Sequence, residues 1–150
     1  MSYLGNNAMS GTLMGGELSS FISLEVLDLS SNNINGKLPS EIGMLLNLTT
    51  IELEKNSLTG TIPLQIFDLS NVQYIKINQN ELTGNLSPLI GHLKSLKELF
   101  TSDNSISGTL PTEIGMLTEI GKLFSFDTNI MLLYLDFSIY ECSLKIKCRI

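Results

Sequence analysis

Tryptophan is absent from this 150-residue chain, histidine occurs once and cysteine twice. His92, with no second His or Cys near it in sequence, cannot assemble a metal centre. Cys142 and Cys148 are close enough in sequence for a bridge, yet one pair is no disulfide framework, and two free thiols are the expected state. Basic residues are scarce: nine Lys and Arg stand against fifteen Asp and Glu, for a formal net charge of −6. Lys145, Lys147 and the lone arginine, Arg149, lie at the carboxyl end, so residues 1–141 are more acidic still. Phosphate binding needs clustered Lys and Arg, and a nucleic-acid partner is therefore not expected. The longest apolar segment, Ile130–Tyr140, contains Asp136 and falls well short of the roughly 20 residues that cross a bilayer. The first residues show no basic stretch ahead of an apolar one, so no secretory leader is visible.

Catalytic signatures are missing too. Neither a phosphate-binding G-x-x-x-x-G-K-[ST] loop, nor a kinase motif, nor a G-x-S-x-G elbow occurs. Glu52 and Glu54 can be imagined as a general acid and base, but outward carboxylates on an open sheet are ordinarily just solvated. No cofactor, metal or catalytic residue is expected.

What the chain does contain is repetition. Asn32, Asn56, Asn80 and Asn104 stand 24 residues apart, each in nearly the same sequence context. Self-similarity of this length marks stacked coils, a solenoid. Each unit opens with apolar residues two apart (Leu27/Leu29, Ile51/Leu53, Ile75/Ile77), the spacing of one face of a short strand. The Asn follows three residues later, where an amide can bond the backbone of its own loop and of the next coil. An apolar residue comes next (Ile34, Leu58, Leu82, Ile106), then a glycine suited to a turn (Gly36, Gly60, Gly84, Gly108). Leu38-Pro39, Ile62-Pro63 and Leu110-Pro111 then predict extended chain opening a 3₁₀ turn. The third unit reads Leu86-Ser87-Pro88, which suggests a one-place slip before Ile90.

These residues spell L-x-x-L-x-L-x-x-N-x-L-x-G-x-I/L-P-x-x-I-G-x-L, and over about residues 3–128 the chain resembles the plant-type leucine-rich repeat. That family includes ectodomains of receptor-like kinases and receptor-like proteins, and inhibitors of cell-wall-degrading enzymes. The resemblance implies an α/β solenoid: a right-handed superhelix with a parallel concave sheet and a convex side of 3₁₀ and irregular segments. It also implies a non-catalytic recognition module for a protein, peptide or glycan. The parent would be a receptor at the plasma membrane or outside the cell. Two alternatives remain, an inhibitor of a secreted hydrolase and the ligand-binding portion of a longer kinase.

The pattern weakens at both ends. Asn7 precedes Asn32 by 25 residues, so one residue is inserted near Gly15–Glu17, expected as an outward bulge. Thr101 and Ser125 replace the second strand apolar, Thr128 takes the next Asn position, and residues 129–150 show no repeat. The division is thus 1–128 as about five repeats and 129–150 as a degenerate cap or tail. At the amino end the chain starts within a strand around Ser2–Leu4, leaving an open core edge. That predicts a piece of a longer protein or, alternatively, end-to-end self-association.

In this register three rows cross the concave sheet. The middle row is Tyr3, Asp28, Glu52, Lys76, Phe100, Phe124. Before it run Val26, Thr50, Tyr74, Glu98, Lys122, and after it Gly5, Ser30, Glu54, Asn78, Ser102, Phe126. From these we select Asp28, Glu52, Glu54, Tyr74, Lys76, Glu98, Phe100, Lys122 and Phe124 as the expected ligand-binding residues, since exposed aromatics anchor interfaces. Phe124 and Phe126 have a second reading, as packing for the Ile130–Tyr140 segment. Asn47-Leu-Thr49 and Asn85-Leu-Ser87 match the N-glycosylation sequon.

Overall fold

The computed structural model describes the backbone of residues 2–124 and the side chains of residues 4–121. The boundary expected at 128/129, Ser125, Phe126, Thr128, the Ile130–Tyr140 segment and both cysteines lie outside the described residues.

The apolar pairs form strands. β1 (Ser2–Tyr3), β3 (Val26–Asp28), β5 (Thr50–Glu52), β7 (Tyr74–Lys76), β9 (Glu98–Phe100) and β11 (Lys122–Phe124) build one sheet in that order. Every pairing is parallel, with Leu27, Ile51, Ile75, Leu99 and Leu123 in register. One residue per coil thus stacks on its equivalent in the next. Ile51, Leu53, Ile75 and Ile77 are almost fully buried, and Leu45, Leu69 and Leu93 close the core from the opposite side. Full burial of such side chains contributes about 1.5–3 kcal/mol each. Thr101, as the sequence indicates, puts a hydroxyl where the other coils have an aliphatic, and is buried there.

A second parallel sheet was not expected. β2 (Ser10–Thr12), β4 (Asn33–Lys37), β6 (Ser57–Thr61), β8 (Glu81–Asn85) and β10 (Ser105–Ser107) pair in that order beside the first. Gly36, Gly60 and Gly84 therefore sit inside strands rather than turns. Their φ angles of +78°, +75° and +83° nevertheless demand glycine. At Gly84 a Cβ would also approach Thr61 Cγ2 to 2.8 Å, whereas at Gly11 (φ +112°) it would meet open space. Gly84→Ala should cost about 1–2 kcal/mol from the left-handed backbone alone, plus the clash with Thr61. Denaturant midpoints of the two alanine variants, side by side, check this; an equal or smaller loss at Gly84 would reject the close-approach reading.

The convex side carries 3₁₀ turns at Ser40–Met44, Leu64–Asp68, Pro88–His92 and Thr112–Met116. Pro39, Pro63 and Pro111 stand just ahead in extended conformation, as the fixed proline φ dictates. The expected slip in the third unit does not occur. Ser87 takes the proline's place, its Oγ accepts the Leu89 N–H at 3.2 Å, and Pro88 becomes the first residue of the turn. Ile90 is buried in the same register as Ile66. The inserted residue lies where expected but does not bulge. It is wound into a short α-turn, Gly15–Leu18, with i→i+4 bonds from Leu18 N to Met14 O and Ser19 N to Gly15 O. An α-turn takes more residues per turn than a 3₁₀ turn, so the chain absorbs the extra one and still buries Leu18.

Candidate functional site

The asparagine ladder fixes the spacing of everything on the concave face. In Asn56 the Nδ2 group donates to Leu53 O (3.1 Å) and Glu54 O (3.3 Å) in its own coil, and to Leu29 O (2.9 Å) in the coil before. Its Oδ1 accepts the Ile34 N–H at 3.0 Å, again from the coil before. Asn32, Asn80 and Asn104 repeat this set. The reach is therefore backward, to the preceding coil, and not to the next one as expected. Asn7 has only local bonds, to Leu4 O and Gly5 O. The residue ahead of each Asn takes a left-handed conformation, with φ +54° to +57° at Asn6, Ser31, Lys55, Gln79 and Asp103. This αL step turns the chain so that the amide points inward.

All but one of the expected surface residues lie on the strands of the first sheet, and Glu54 lies just beyond β5. Strand register aligns Asp28, Glu52, Lys76, Phe100 and Phe124 in one row, and Val26, Thr50, Tyr74, Glu98 and Lys122 in the next. Lys76 Nζ donates to Glu52 Oε1 at 2.6 Å, a direct bridge between neighbouring coils. That bond, ahead of other causes, raises the lysine pKa. Asp28 Oδ1 accepts from Ser30 N (3.0 Å) and Ser30 Oγ (2.7 Å). Tyr74, Glu98 and Phe100 are partly buried. For Lys122 and Phe124 the backbone alone is described.

Glu54 departs from expectation. It was read as a solvated outward acid, yet its Oε2 is buried without a hydrogen-bond partner. Burial pushes the carboxyl pKa up; its own backbone N–H opposes the rise, Glu52 and Asp28 add to it, and Lys76 opposes it. A carboxyl that holds its proton more tightly when folded weakens the fold above its pKa, and this penalty disappears as pH falls through the raised value. Glu54→Gln should therefore be more stable than wild type at pH 7, with the difference shrinking on acidification toward pH ~4. Paired denaturation curves across that range test the sign; a difference that widens on acidification would reject it.

The convex residues are as read: His92 is exposed. Of the two sequons, Asn47 is exposed with its amide on Ile22 O at 2.9 Å, and Asn85 is exposed at the end of β8. Asn47 belongs to a second ladder that sequence reasoning missed, continued by Asn71 on Leu46 O (3.0 Å) and Ser95 on Ser70 O (2.9 Å). The 24-residue spacing of those three positions is its only sequence signal. A cavity of about 260 Å³ lies away from the concave face, where Leu4, Met9, Leu13, Leu24 and Ile34 leave the core open beside β1 and β2.

The sequence model described as Leucine Rich Repeat matches residues 23–45, 47–70 and 95–117. In the solved BIR3–SERK2 complex from Arabidopsis thaliana, a chain 30% identical superposes with a TM-score of 0.75. That match covers 85% of this chain and 67% of that one. The chain belongs to the leucine-rich repeat family, in its plant type. The coil at 71–94, which carries the Ser87-Pro88 departure, falls between the matched units. A plant peptide hormone receptor, RGFR1 in complex with RGF2, is similar over 86% of this chain at 30% identity, TM-score 0.82. So is the Arabidopsis receptor kinase HAESA ectodomain with an IDA peptide hormone, over 85% at 26% identity, TM-score 0.79. This leucine-rich repeat segment spans about a fifth of each of those two receptor chains, 20% and 21%. Among curated proteins no sequence match is found. No helix among the described residues is long and apolar enough to cross a membrane.

Proposed function

We propose that this leucine-rich repeat segment is a non-catalytic recognition module of a plant receptor, receiving a protein or peptide ligand on its concave face. The observation that carries the reading is the likeness to receptor ectodomains solved with peptide hormones bound, RGFR1 and HAESA. The concave face is suited to the task. Ladder and sheet hold it rigid, and a rigid surface loses little entropy when a ligand arrives. Its rows mix aromatic and charged side chains, which anchor and orient a partner. The parent belongs at the plasma membrane or in the extracellular space, and any phosphate transfer would reside in a kinase domain elsewhere in that parent. The nine concave residues selected from the sequence remain the proposed contact set, with Asp28, Glu52, Glu54, Tyr74, Lys76, Glu98 and Phe100 in the described part and Lys122 and Phe124 at its edge.

The test uses ligands selected from a random peptide library on the wild-type chain. Phe100→Ala removes an aromatic anchor, and Glu52→Lys replaces the Lys76 ion pair with two like charges. Each is expected to weaken the selected peptides by at least about tenfold, the loss of roughly 1.4 kcal/mol, with unchanged circular dichroism. Peptides that bind both variants as tightly as wild type would remove the concave face from consideration.

A further inference from the structure

The end of the stack formed by the first coil, residues 4–24, is built differently from its sides. We propose that two copies of this chain associate there, end face to end face, about a two-fold axis. This contact is separate from ligand recognition on the concave face.

Leu4, Met9, Met14 and Phe21 are all exposed, and all line the cavity of about 260 Å³ beside β1 and β2. Phe21 closes its coil as Leu45 closes the next one: Leu24 N donates to Phe21 O, and Leu48 N to Leu45 O. Leu45 is fully buried, whereas Phe21 is 55% exposed. Aromatic and Met side chains are what the cores of protein interfaces collect. Charge then favours another copy as the occupant. The chain is acidic, net −6, so most contacts between copies bring like charges together. The first coil is the exception. Glu17 is the one charged residue between positions 4 and 24, while the next coil carries Glu25, Asp28, Lys37 and Glu41. Two copies therefore meet with least repulsion at this face.

The main chain supplies the geometry. β1 and β2 are the outermost strands of their sheets among the described residues. Leu4 N and Asn6 N donate into the next coil, to Asp28 O and Ser30 O, so the alternate residues turn their backbone groups to the open side. Neither Ser2–Tyr3 nor Ser10–Thr12 contains the Lys or Pro that shields such an edge. A two-fold axis normal to the first sheet would run β1 antiparallel to its own copy. It would also seat each Phe21 against the other copy's apolar lining, because an isologous contact uses the same patch on both sides. Both concave faces would then point the same way, which lengthens the surface open to a ligand.

Sedimentation velocity of the full chain, over a range of concentrations and with a reductant to prevent cysteine bridges between copies, tests this. Wild type is expected to pass from the mass of one chain to that of two as concentration rises. Phe21→Glu buries an unpaired charge in the contact and should raise the dissociation constant at least about a hundredfold, with unchanged circular dichroism. Met14→Glu, at a position 62% exposed, should act the same way and decides the matter if Phe21→Glu alters the fold. Leu46→Glu, at an exposed leucine outside the cavity lining, should leave the association as it is. Asn7→Ala separates a two-fold contact from head-to-tail stacking. In a head-to-tail stack Asn7 would bond the backbone of the neighbouring copy as the other rungs bond theirs, whereas across the two-fold it keeps only its local bonds and its loss changes little. A chain that stays single at every concentration overturns the proposal. So does association that survives both end-face substitutions or is lost with Leu46→Glu or Asn7→Ala. Growth beyond two copies, the mark of an open head-to-tail stack, overturns it as well.

Discussion

Asn56→Ala is expected to cost the fold about 3 kcal/mol, more than most single surface substitutions. The side chain makes four bonds, three from Nδ2 to Leu29 O, Leu53 O and Glu54 O, and one accepted from Ile34 N. Alanine leaves those part-buried backbone groups without their partner, and an unpaired buried group costs about 1–3 kcal/mol. Asn56→Asp is expected to be worse at pH 7, because a carboxylate can accept but cannot donate, and it would face three carbonyl oxygens. On acidification the aspartic acid regains one donor, so its deficit should narrow toward that of alanine. Asn7→Ala is the control: its two bonds are local and exposed, so its loss should be a fraction of a kcal/mol. Denaturant unfolding followed by circular dichroism measures all three. A loss at Asn56 no larger than that at Asn7 would show that the ladder does not join the coils.

Much of this scaffold was legible because stacking multiplies a weak signal. A single Asn after two aliphatics means little, but four at one spacing place the strands, their register and the concave rows. The direction of the ladder was not legible. A period reads the same forward and backward, so it does not say which neighbouring coil each amide bonds. The second sheet was hidden for another reason. Its strands, such as Asn33–Lys37, hold one inward aliphatic among Asn, Gly, Ser and Thr, so neither alternation nor propensity marks them. Pairing with the neighbouring coil overrides the local preference. Ser87 shows the opposite error: a missing proline was read as a shifted chain, whereas a hydroxyl acceptor fills the same place. At the candidate site the rows followed from register alone. The burial of one Glu54 oxygen did not, since strand register says nothing of where a single side-chain atom ends up.

Ile75→Ala tests whether the coils act as one body. Ile75 is 1% exposed and stacks between Ile51 and Leu99, so its truncation opens a cavity bounded on both sides by packed coils. Large-to-small changes at such sites cost about 2–5 kcal/mol, with the upper end reached where the surroundings cannot collapse. Leu27→Ala removes a similar volume near the open end of the core, where the cavity lined by Leu4, Leu24 and Ile34 gives neighbours room to move. Its loss should be smaller by about 1 kcal/mol or more. The two should also differ in kind. In a solenoid each coil contacts only its neighbours, so weakening the central one uncouples the coils on either side. Ile75→Ala is therefore expected to broaden the transition and to let one half lose hydrogen-exchange protection before the other, while Leu27→Ala keeps a single transition and frays from its own end. Equal losses and a single sharp transition in both variants would mean that the core resists truncation uniformly along its length, and that nearest-neighbour coupling does not govern this fold.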